Sequence, residues 1–153
     1  MSCIVVAKAK NNKFFSNSKN VSIPGPQGPP GPGSTLESTA GENIAAYQPV
    51  YVENELAFIA SNDDAGNFLS FAGLAAVSSL ITDPIDIITS GYVVNVAWSW
   101  TSNLEIYLGS GGVLTQTPPI PDNSLYRIVV GEATGPNSMI VRISEPILFD
   151  LEP

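Results

Sequence analysis

Three close carboxylate pairs, Glu53/Glu55, Asp63/Asp64 and Asp83/Asp86, are the residues in this chain most able to do chemistry. Two carboxyl groups suffice for glycoside hydrolysis, one as acid and the other as base or nucleophile. Each pair also has a plainer role. Glu53 and Glu55 alternate, as solvent-facing acids on one strand face do, and Asp63 and Asp64 fall in a turn cluster where aspartate bonds its own backbone. Asp83 and Asp86 flank Pro84. The chain has no histidine, so Ser–His and Cys–His nucleophile pairs, imidazole metal ligands and the usual general base at neutral pH are all missing. Cys3, the one cysteine, leaves no intrachain disulfide and no thiolate cluster; in Cys-Ile-Val-Val-Ala it reads as a small buried apolar side chain.

Other candidates are weighed in the same way. Gly109-Ser110-Gly111-Gly112 lacks the lysine of a phosphate-binding loop and reads as a hairpin turn. Asn62, Asp63, Asp64 and Asn67 offer oxygens to calcium, but neither EF-hand spacing nor its closing glutamate is present. Trp98 and Trp100, two residues apart, would share a strand face as a sugar-stacking platform does; large aromatics at that spacing more often serve a core or a trimer seam, the reading favoured here. Tyr47, Tyr51, Tyr92, Tyr107 and Tyr126 are read the same way. The expectation is a protein without catalytic residues, metal or cofactor.

The elements that would position these residues are strands. In Tyr92–Trp100, Val94, Val96, Trp98 and Trp100 alternate with Val93, Asn95, Ala97 and Ser99, the period of a half-buried strand. Tyr126, Ile128 and Val130 alternate around Arg127 and Val129, and Met139, Val141 and Ile143 around Ile140 and Arg142. Pro49–Glu53, Glu55–Ala60, Ile85–Ile88 and Leu104–Leu108 are further candidates. Turn clusters at 61–67, 109–112, 118–123 and 134–137 separate the runs, which predicts an all-β domain, a small antiparallel sandwich or barrel. Phe68–Leu80 is long and alanine-rich enough for a helix, but Gly73 and the flanking turn signals favour a strand.

With 153 residues, 44% of them apolar, the chain can bury one ordinary core. Only 13% of residues are charged, about half the usual share, so subunit contacts or docking on an assembly would relieve the surface. Four lysines, Lys8, Lys10, Lys13 and Lys19, precede residue 34 with no acid among them. All 14 acidic residues follow, against Arg127 and Arg142 alone, which disfavours nucleic-acid binding. The N-terminal apolar run is too short for a secretion signal, and no stretch is long enough to span a bilayer as a helix.

Composition divides the chain into an arm (1–22), a Gly/Pro tract (23–34) and a β domain (35–153). In the tract IPGPQGPPGPGS, glycines recur at Gly25, Gly28 and Gly31, with Pro24, Pro26, Pro29, Pro30 and Pro32 around them. Every third residue of a collagen triple helix faces the shared axis, where only glycine fits. Gly33 breaks the phase, so the run holds at most about ten residues, roughly 30 Å. That is too short to hold three chains alone, but it can couple flanks that already bring three chains together. A single-chain polyproline spacer is the competing assignment.

The domain resembles the β-rich modules of bacteriophage virion appendages, in which short collagen-like pieces precede compact trimeric domains. The matching pieces are AGENIAAYQPVYVENELAFIAS, FAGLAAVSS, GYVVNVAWSW, IYLGSGGVLTQTPP and YRIVVGEATGPNSMIVRISEPI, in order over about residues 38–149. The resemblance implies a homotrimer located in the virion, assembled in the host cytoplasm, acting as a tail or head fibre or decoration protein. The arm, with Ile4, Val5 and Val6 as a strand and Phe14 and Phe15 as apolar anchors, would dock on capsid, tail or baseplate proteins. The domain would serve adhesion, with host surface glycan as a partner, or particle stabilisation. The alternatives are a monomeric carbohydrate-binding module with a Pro-rich linker and a glycan-cleaving enzyme.

Overall fold

The computed structural model describes residues 33–64 and 69–149, and every regular element among them is a strand. In chain order these are β1 (Thr35–Ala40), β2 (Pro49–Glu53), β3 (Leu56–Ile59), β4 (Phe71–Ala75), β5 (Pro84–Ile88), β6 (Ser90–Val94), β7 (Glu105–Leu108), β8 (Leu114–Thr115), β9 (Tyr126–Arg127), β10 (Val129–Gly135), β11 (Ser138–Arg142) and β12 (Ile147–Leu148). The described residues are thus all-β, as the alternation predicts.

β1 to β5 close into a barrel in the order β1-β3-β2-β4-β5. Five rungs from Thr35↔Ile88 to Thr39↔Pro84 join β1 to β5, whereas the closing contact of β1 with β3 has two rungs and is parallel. That parallel pair departs from the antiparallel expectation; the other ladders keep to it. Barrel diameter grows with strand number, so five strands leave a narrow interior, filled by small and branched side chains: Ala40, Ile44, Val50, Ala57, Ala75, Ile85 and Ile87.

A second sheet, ordered β6-β11-β10-β7-β8, supplies a larger core of Val93, Ile106, Leu108, Ile128, Val130, Met139 and Val141. Tyr126, Ile128 and Val130 are all buried, and so are Met139 and Val141, as their alternation predicts. Ala60 and Leu74 from the barrel belong to this second core, with half-buried Tyr51, Phe71 and Ile88 packed on it, so one barrel wall serves both cores. β9 and β12 form a separate two-stranded ribbon.

Local chemistry decides three places where sequence and structure meet less simply. Within 68–80, β4 is a strand because Gly73 takes φ +152° and a Cβ there would lie 2.0 Å from the Ile88 carbonyl oxygen. That close approach of β4 to β5 excludes any side chain at 73 and settles the choice against a helix. The expected strand 92–100 ends at Val94 instead. The Asn95 carboxamide accepts the Ala97 N–H at 3.0 Å and the Asn95 carbonyl accepts the Trp98 N–H at 3.0 Å. A short amide side chain that bonds the backbone two residues on makes a turn where alternation alone predicts a strand. Glu53 and Glu55 do not share a strand face either: Glu53 ends β2, while Asn54 and Glu55, at φ 53° and 68°, form the two-residue turn into β3. Positive φ at both central positions is the hairpin turn whose twist matches the strands.

Candidate functional site

The tract residues Pro24, Gly25, Pro26, Gly28, Pro29, Pro30, Gly31 and Pro32, and the arm residues Ile4, Val5, Val6, Phe14 and Phe15, lie outside the described residues. Asn67 does as well.

Trp98 and Trp100 sit on a strap beyond β6, not on a sheet. Asn137, in the turn between β10 and β11, donates to the Trp98 carbonyl at 2.6 Å and the Val96 carbonyl at 3.3 Å, and the Trp100 N–H donates to the Pro136 carbonyl at 2.8 Å. The two indoles lie 5.6 Å apart between centroids, and Tyr47 meets Trp98 edge-on at 5.4 Å. All three are half-buried against the core of the second sheet. They line a shallow cleft of about 250 Å³ with Gln48, Asn95 and Leu114. The Trp100 Nε1 atom is enclosed and without a hydrogen-bond partner. The indoles therefore spend much of their surface on each other, on Tyr47 and on the core, while the face that alternation assigned to them with Val94 and Val96 does not exist.

The Asn62–Asp64 turn, weighed as an oxygen cluster for calcium, acts as a latch. The Ser61 hydroxyl donates to one Asp63 carboxylate oxygen at 2.5 Å and the Ser110 hydroxyl to the other at 2.6 Å, while the Gly111 N–H donates to the Ser61 hydroxyl oxygen at 2.8 Å. These two hydroxyl donors hold the Asp63 carboxyl below its ordinary range, against a smaller opposing effect of burial. Asn62 is buried, and its amide donates to the Leu108 carbonyl at 2.9 Å. Backbone bonds from Asn62 to Gly109 and from Leu125 to Asn62 complete the tie between the loop after β3 and the second sheet. Among the described residues no group of three or more His, Cys, Asp or Glu side chains is placed to hold a metal ion.

Beside this latch lies a cleft of about 570 Å³ between Asp63, Ser110, Thr115 and the Pro118–Ile120 segment. Its carboxylate already accepts two hydroxyls, which leaves it poorly placed to activate a water. Asp83 and Asp86 are not brought together as a pair either. Asp83 donates its backbone N–H to the Leu80 carbonyl, whereas Asp86 is an exposed residue of β5 directly opposite Glu37 of β1.

What sequence inspection missed is a surface. Large apolar side chains stand exposed on and beside β6: Tyr92, Val94 and, in the turn that follows, Val96, the last 87% exposed. The signal was present as alternation, which separates the two faces without saying which one meets the core; Val93 is the buried member. What the fold defines is an all-β domain of a five-stranded closed barrel sharing a wall with a second five-stranded sheet. No protein-family model matches the chain, and no curated protein is significantly similar to it.

Proposed function

We propose that the protein is a non-enzymatic structural component of a bacteriophage particle, a homotrimeric fibre or decoration protein. The arm, 1–22, docks on other virion proteins, the tract 23–34 couples three chains as a short stiff rod, and the β domain is displayed for host attachment or particle stabilisation. The observation that carries this reading is glycine at 25, 28 and 31 within a proline tract joined directly to a β domain. A spacer needs stiffness, which proline gives; it does not need a small residue at every third place, which three chains around one axis do. The sparse charge of the chain and its many exposed large apolar side chains agree with a domain that packs against copies of itself.

Light scattering on the full-length protein tests this. The expected mass is three times the 16.1 kDa of one chain, and a one-chain mass overturns the trimer. Removing residues 1–20 should leave a soluble trimer that no longer joins particles; continued incorporation would place the docking surface elsewhere.

A further inference from the structure

We infer that the outer face of β6 and β11, centred on Tyr92, Val94 and Ile140, is the contact between copies of this chain. The inference rests on the trimeric reading above and names the surface that reading requires.

The argument starts where the Gly/Pro tract joins the domain. Gly33 lies against β6: with φ +76°, a Cβ on it would stand 1.9 Å from the Ser90 carbonyl oxygen. The next residue is tied to the same place, because the Ser34 N–H donates to the Ser90 hydroxyl at 3.3 Å and the Thr89 N–H donates to the Ser34 carbonyl at 2.9 Å. Two residues of extended chain reach at most about 7 Å. If three chains share an axis at Gly31, each must therefore bring the start of its own β6 to within a few residues' length of that axis.

β6 is suited to that position. It is the terminal strand of its sheet, with β11 as its strand neighbour. An exposed edge strand with large apolar side chains and no lysine or proline is an association site unless something covers it. Val93 points into the core, so Tyr92 and Val94, 39% and 49% exposed, point away from it. Directly paired residues share a face, which sets Ile140 beside Tyr92, Glu132 beside Ile140 and Glu105 beside Glu132. The outer face thus runs from apolar at the margin nearest the tract to acidic at the far side. Arg142 of β11, directly opposite Ser90, reaches toward that side to pair with Glu132 at 3.5 Å, and at the far side the Tyr107 hydroxyl donates to Glu105 at 2.9 Å. An apolar centre with a charged rim is the anatomy of a subunit contact, and its centre is on the side the tract selects. Residues against a three-fold axis meet their own copies, so Val94 would face two further Val94 side chains across it.

The test places a thiol on the seam in the full-length chain. In a Cys3→Ser background, Val94→Cys is compared with Leu80→Cys, whose site is 64% exposed in a loop outside this face. Mass by light scattering is read together with the rate of reaction with a small thiol reagent. The expected result is a trimer in which the thiol at 94 reacts at least about tenfold more slowly than the thiol at 80. A trimer in which both react equally fast overturns this seam and leaves the trimeric reading standing; a wild-type chain of one-chain mass overturns both. As a second variant, Val94→Lys would set three cations together, and the trimer is expected to dissociate at concentrations where Leu80→Lys remains trimeric. Unchanged mass and melting for Val94→Lys would likewise overturn the proposal.

Discussion

Replacing Tyr126 by phenylalanine removes one oxygen from the largest fully buried side chain of the domain. Its hydroxyl donates to the Ser61 carbonyl at 2.7 Å, tying β9 to the loop that leaves β3. A hydrogen bond of this kind contributes about 1 kcal/mol net, which in a domain of this size moves Tm by about 3–5 °C. The pH dependence is the sharper part of the prediction. Burial, assisted by the negative charges of Asp64 and Asp63, pushes the phenol far above its ordinary value near 10. In the unfolded chain it ionises near 10. Stability from the neutral buried phenol is therefore complete below about pH 10. It is lost as pH rises further, because the unfolded state releases a proton that the native state keeps. The loss reaches about 1.4 kcal/mol per pH unit, and Tyr126→Phe escapes it. Tyr51 and Tyr107, also raised by burial, are present in both proteins and cancel in the comparison. Thermal unfolding followed by circular dichroism, at one protein concentration from about pH 7 to about pH 11, should show the variant melting lower at neutral pH. The gap should close between about pH 10 and 11 and then reverse. Parallel curves with a constant gap would refute the reasoning.

Two further predictions concern the barrel. Gly73→Ala should cost at least about 3 kcal/mol or abolish soluble expression, since strain at positive φ adds to a Cβ 2.0 Å from the Ile88 carbonyl oxygen; a melting temperature within a few degrees of wild type would contradict that approach of β4 to β5. Asp86→Lys should raise stability by about 0.5 kcal/mol in a urea melt, because it replaces a carboxylate directly opposite Glu37 with a cation. A loss of stability would count against that register.

Much of this architecture was legible because burial writes itself into period two. Pro49–Glu53 matches β2 residue for residue, and the alternations through Tyr126–Val130 and Met139–Val141 give the buried Tyr126 of β9, Val130 of β10, and Met139 and Val141 of β11. β8 and β12, two residues each, are too short for any period to register. The strap carrying Trp98 and Trp100 was read as strand because its alternation is real, while the deciding residues, Asn95 and Asn137, act through hydrogen bonds that hydropathy does not record. As for the candidate surface, alternation marked β6 correctly as two-faced. Which face met the core was decided by β11 and by the close approach of Gly33 to Ser90, both contacts made far along the chain.

β1 was not recognised as a strand at all. Thr-Leu-Glu-Ser-Thr-Ala carries one large apolar side chain and no alternation, and it is a strand because β5 pairs with it along five rungs. That partner is about fifty residues further on. A ribosome adding about 5–20 residues per second delivers it roughly 3–10 s after β1 has been made. During that interval the segment waits unpaired, close behind a proline tract that, on the trimeric reading, must find two siblings. A greasy segment in that place would offer neighbouring nascent chains a wrong strand to join; a polar one gives them little to bind. If three chains do assemble there, the blandness that hides β1 from inspection is what would let them grow side by side without tangling.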